Sequence, residues 1–100
     1  MKRDLNAMDF QWPVFLKSGD KTKKYSTITP SGKWINFGST KYQHYRDATG
    51  LRLYSHLDHN DKARRDKYRA RHSKIKTKDG KLAYKNPEQP AYYSWNFLWT

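Results

Sequence analysis

His56, Asp58, His59 and Asp61 form an H-x-D-H-x-D run, the residue types that hold divalent metals when they converge. A metal centre needs three or four converging ligands backed by further hydrogen bonds, and no zinc-finger spacing or H-E-x-x-H accompanies the run. His56 and His59 are therefore secondary metal candidates, and capping of a following helix is the simpler use for them. Asp58-His59-Asn60 matches a His-Asn-His nuclease over three letters and no further. The nine acidic residues are dispersed among bases, and there is no P-loop, G-x-S-x-G or cysteine nucleophile. These absences argue against an enzyme with a cofactor or a small-molecule substrate.

The stretch DKARRDKYRARHSK, residues 61–74, is chemically more pointed, with seven lysines and arginines and almost nothing apolar. Eleven of the 21 Lys and Arg fall between positions 61 and 85, beside Tyr68 and Tyr84, and mixed basic and aromatic surfaces suit phosphate contacts with ring stacking. Arg64, Arg65, Lys67, Arg69, Arg71, Lys74, Lys76 and Lys78 are the candidates for holding a polyanion or an acidic partner. Arginine suits the task because its planar fork takes carboxylate or phosphate in two bonds. A formal charge of +12 on 100 residues makes the folded chain repel itself and collect anions. Nucleic acid and acidic protein surfaces fit that charge, whereas no basic amphipathic helix of the membrane-surface kind is present.

The elements that must position these residues have little to work with. One hundred residues make a single small domain. Hydrophobic residues are only 35% of the chain but aromatics are 16%, so rings must supply the burial, without cysteines to staple them. No apolar run is long enough for a signal segment or a membrane span, so a soluble intracellular chain is expected. The pattern predicts an α+β fold of one or two hairpins, short helices, a basic helix near 61–73 and extended aromatic terminal arms. Three parts follow: an N-terminal arm over 1–22, a basic α+β module over 23–86, and a Pro-rich loop with a C-terminal aromatic segment over 87–100.

The first part carries MDFQWPVFL, whose proline excludes a central strand, and it reads as an extended arm or edge strand docking by its rings. YSTIT and KWINF flank Pro30-Ser31-Gly32 and predict a hairpin. A two-residue loop would pair Ile28 with Ile35, a three-residue loop Ile28 with Trp34, and the pattern leaves both open. STKYQHYRDATG, residues 39–50, reads as a short helix with Tyr42 and Tyr45 on one side. Asn60 or Asp61 is a fit N-cap for the basic helix, with Arg69, Arg71 and His72 complementing its C-terminal dipole. A second hairpin over 74–85, turning at Asp79-Gly80 as type I′, would set Ile75 against Tyr84 and Thr77 against Leu82, gathering the lysines on the other face. Pro90 suits the first turn of a terminal helix that would carry Tyr92, Trp95, Leu98 and Trp99 on one stripe. Trp12, Trp95 and Trp99 are candidate anchors in a partner, and domain core is the alternative for the last two.

GKWINFGSTKYQHYRD, HLDHNDKARRDKYRARH and AYYSWNFLW together resemble a family of small basic proteins of uncharacterised function encoded by large nucleocytoplasmic DNA viruses. The most specific piece is Arg65-x-x-Tyr68-x-x-Arg71-His72, ending in a Y-x-x-R-H motif and preceded by G-K-x-I-x-F-G at 32–38. The likeness runs over roughly 23–99 and leaves 1–22 outside. It implies a setting rather than a mechanism: a minor capsid or other virion component, present in the host cytoplasm or nucleus during assembly. Other virion proteins would be its partners, with viral DNA as the alternative.

Overall fold

A computed structural model describes residues 13–100. Three short strands form one antiparallel sheet in the order β1 (Phe15–Lys17), β2 (Lys23–Ile28), β3 (Trp34–Ser39). Two helices, α1 (Lys62–His72) and α2 (Pro90–Phe97), complete a small α+β domain. β1 comes from the stretch read as an arm or edge strand; it is the edge strand, pairing Phe15 with Thr27 and Lys17 with Tyr25. Trp12 lies outside the described residues.

The β2–β3 hairpin resolves its register in favour of the three-residue loop. Ile28 pairs with Trp34, and the Thr29 amide donates to the Lys33 carbonyl at 2.8 Å around Pro30-Ser31-Gly32. Gly32 sits at φ +89°, a conformation open to glycine at little cost, so the G in this loop selects the turn. Glu88 locks the loop from outside, accepting from the Ser31 amide at 2.9 Å and the Ser31 hydroxyl at 2.6 Å.

Alternation along the strands then sends Tyr25, Ile35 and Phe37 to the face that α2 covers. Tyr25, Phe37, Tyr93 and Leu98 form the buried core, with Phe15, Tyr54, Phe97 and Trp99 packed around it. The core is thus built of rings, as the composition requires. Pro90 opens α2, as its fixed φ permits. The terminal helix that Pro90 predicts is present, and it packs as core rather than projecting as an arm. Its rings bury more area against the sheet than they could in solvent, and a helix this short is stable only when packed.

Two further expectations are corrected. Residues 39–50 form no helix. His44, 0% exposed, and Asp47, 6% exposed, are buried in an extended segment. Its amides find long-range acceptors, Arg46 to Leu98 at 3.0 Å and Ala48 to Phe97 at 2.8 Å. Those bonds satisfy the C-terminal carbonyls of α2, which a helix leaves unpaired, so tertiary pairing overrides local helix preference here.

The second hairpin is shifted by one residue from the expected register and is only a stub. Thr77 donates to Lys81 at 2.8 Å around a three-residue loop, Lys76 pairs with Leu82, and Gly80 stands at φ +82°. A single-turn 3₁₀ segment, Ala83–Lys85, follows at once, because Tyr84 turns to stack on Trp95 at 4.0 Å between ring centroids. Ile75 is left 45% exposed, and no sorted lysine face forms.

Candidate functional site

α1 begins where the sequence places it. The Asp61 carboxylate accepts from the amides of Ala63 and Arg64 at 3.0 and 3.2 Å, satisfying two of the orphan donors at the helix start. No residue of α1 is fully buried, so side chains alone seat it on the body. Tyr68 lies flat on Trp99 at 4.2 Å with 4° between the planes, and His72 stacks on the other face of Tyr68 at 3.9 Å. Burial pushes the Tyr68 phenol up to about 12. Burial, and then the charge of Arg71, holds the His72 imidazole below its usual range, so the stack is neutral near pH 7.

Positions three and four apart share a helix side, and this divides the cations of α1 into two groups. Arg65 and Arg69 turn inward. The Arg65 guanidinium lies 5.0 Å over the Tyr45 ring, and that of Arg69 lies 4.2 Å over Trp95 while donating to the Trp99 carbonyl at 2.9 Å. Such cation–π contacts contribute about 0.5–2 kcal/mol each and relieve the like-charge Arg65–Arg69 pair. Arg64, Lys67 and Arg71, on the neighbouring side, line a cleft of about 840 Å³ between α1, the start of α2 and the ends of β2 and β3.

The opposite wall supplies Lys23, Lys24, Tyr42 and Gln43. Gln43 ties the walls together by accepting from Arg64 Nη1 at 3.0 Å. Lys24 is 2% exposed and donates its Nζ proton to the Tyr42 carbonyl at 2.9 Å. Burial brings its pKa down to about 8 despite the pull of Asp47 and Asp58. Among the described residues five cations therefore line the cleft and no carboxylate does.

The missing counter-charge has a structural cause. All seven carboxylates among the described residues accept hydrogen bonds elsewhere in the chain. Asp58 takes His44 Nε2 at 2.6 Å and the Asp47 amide at 2.8 Å. Burial alone would raise Asp47, but bonds from Thr49, Tyr25 and the Tyr54 amide outweigh it and hold the carboxyl below its usual value. Burial, then the charge of Lys24, depresses His44 more than Asp58 raises it, so the imidazole is neutral and Nε2–H donates to Asp58.

The sequence-derived candidates thus separate. Arg64, Lys67 and Arg71 come together in the cleft; Arg65 and Arg69 are held on internal rings; Lys74, Lys76 and Lys78 are exposed outside it. Trp95 and Trp99, read as partner anchors, are half-buried in stacks within the chain. His56 is exposed, and His59 Nδ1 accepts from the Asp61 amide at 2.9 Å. Among the described residues no three His, Cys, Asp or Glu side chains gather as a metal site, and no helix is long and apolar enough to cross a membrane.

Lys23, Lys24 and Tyr42 were not legible as site residues. The lysines read as the start of a β-run, and Tyr42 belonged to a segment whose spacing suggested a helix. No protein-family model, no curated protein and no solved structure matches the chain.

Proposed function

We propose that this chain is a non-enzymatic binding protein that holds nucleic acid in the cleft, without sequence specificity. Arg64, Lys67 and Arg71 on one side and Lys23 on the other meet the phosphates, with the buried charge of Lys24 behind them. The observation that carries this reading is the cleft's charge: five cations, with every described carboxylate engaged elsewhere. Within a chain of formal charge +12 such a recess concentrates anions, and phosphate-bearing chains gain further from counterion release. The viral resemblance supplies the setting, a genome-associated or other virion component of a large DNA virus, present in host cytoplasm or nucleus during assembly.

The reading is tested by fluorescence anisotropy with a labelled oligonucleotide across a salt series from about 50 to about 200 mM. Affinity should fall steeply with salt, with a log–log slope of roughly 0.7–0.9 per phosphate contacted. Absence of binding at the low-salt end would refute it.

A second reading, a minor capsid protein binding an acidic surface of another virion protein, draws on a different observation. Leu16 and Trp34 are 50% and 54% exposed on the sheet face turned away from α2, two apolar side chains that another protein would cover. Saturation at a fixed stoichiometry with an acidic protein, and none with oligonucleotides, would favour it.

A further inference from the structure

We infer that the cleft is a single-strand site in which an unpaired base stacks on Tyr42 while the strand's phosphates follow the α1 side bearing Arg64, Lys67 and Arg71; this rests on the nucleic-acid reading above. The cleft's size comes first. About 840 Å³ lies within the range of sites for small organic ligands, roughly 300–1,000 Å³, which is room for a nucleotide or two and not for both strands of a duplex.

The layout of charge comes second. Positions 64, 67 and 71 form one row along the helix, and from the first to the last the axis rises by about 10 Å, enough to follow more than one phosphate of a strand lying along α1. Lys23 and Lys24 face that row from the sheet, so a strand passing between them meets cations on both sides.

The rings come third. Trp99, Tyr68 and His72 line the cleft, but the two faces of Tyr68 are occupied by the other two, so Tyr68 offers a base no open face. Tyr42 differs: it lines the cleft at 69% exposure, and its ring stacks on no other ring among the described residues. Its backbone is nonetheless tethered, because its carbonyl accepts from Lys24 Nζ at 2.9 Å. An exposed ring on a tethered backbone beside a row of cations is the arrangement by which proteins bind single strands, since every base offers a π-face. A paired base, stacked inside a duplex, offers none. Gln43, next in the chain, keeps an amide available to a base edge while its oxygen holds Arg64.

The test compares one oligonucleotide of about ten nucleotides, single-stranded and as a blunt duplex, by anisotropy at fixed low salt, with wild-type protein and the variants Tyr42→Ala, Tyr42→Phe and Lys67→Gln. The single strand should bind at least about tenfold tighter than the duplex. Tyr42→Ala should weaken the single strand by about fivefold to a hundredfold and the duplex little, and Tyr42→Phe should restore the difference. Lys67→Gln should weaken both forms together. Equal affinity for both forms, or a Tyr42→Ala variant that binds the single strand as well as wild type, overturns the inference and leaves the polyanion cleft standing. Failure of both forms to bind overturns both. Because Tyr42 is largely exposed, circular dichroism should show the fold intact in each variant.

Discussion

Lys24 sits 2% exposed with its ammonium on the Tyr42 carbonyl, and burial brings its pKa down to about 8. The cleft should therefore lose one positive charge as pH rises through about 8, and oligonucleotide affinity should fall severalfold between about pH 7 and pH 9. Lys24→Met should bind more weakly at pH 7 and lose that dependence; an unchanged pH profile in the variant would count against the Lys24 charge acting on the phosphates. His44 governs stability rather than binding. Its folded pKa lies below the unfolded value of 6.5, so between the two the unfolded chain binds more protons and stability rises with pH. His44 stabilises fully above pH 6.5, and that stability is lost as pH falls through the folded pKa. Urea midpoints should accordingly drop on going from about pH 7 to pH 5, and a His44→Gln variant should show a smaller drop. Neither residue stood out in the sequence, because the burial of a single lysine or histidine depends on contacts far along the chain.

At the scale of elements, what could be read was what local chemistry decides. Asp61 as a cap, Pro90 at a helix start and Pro30-Ser31-Gly32 as a turn all act within a few residues, and all three stand as their sequence implies. The segment at 39–50 and the second hairpin follow distant partners instead: the α2 carbonyls for the first, Trp95 for the second. Two substitutions separate the kinds of control. Asp61→Ala removes one cap acceptor and should destabilise by about 1 kcal/mol. Gly38→Ala should cost more, about 2–3 kcal/mol. Gly38 holds φ +78°, where a side chain is strained, and an added Cβ would lie 2.9 Å from Cδ1 of Leu98, itself 1% exposed. Thermal melts should show drops of about 4–8 °C per kcal/mol, larger for Gly38→Ala; the reverse order would contradict the close approach of α2 to β3.

At the scale of the whole molecule, the basic stretch that dominates the sequence divides into three by the time the chain has folded. Part of it clasps internal rings, part lines the cleft, and Lys74, Lys76 and Lys78 project from the stub hairpin. Composition shows a surplus of positive charge, but only the fold says which cations share the cleft, since helical phase and the position of the sheet decide that together. A basic, aromatic chain was legible; the opposing wall from β2 and Tyr42 was not, because it lies about 20 or more positions away in sequence.

The most direct measurement of the central claim compares two triple variants in the same salt series. One is Arg64→Gln, Lys67→Gln, Arg71→Gln; the other is Lys74→Gln, Lys76→Gln, Lys78→Gln. They remove equal charge, so any difference reports location. The cleft variant should lower the salt slope by roughly 2–3 and weaken single-strand binding by orders of magnitude, while the hairpin variant should keep most of the wild-type affinity. Equal losses in the two would mean that the protein binds by its net charge alone, and the cleft would have no part in it.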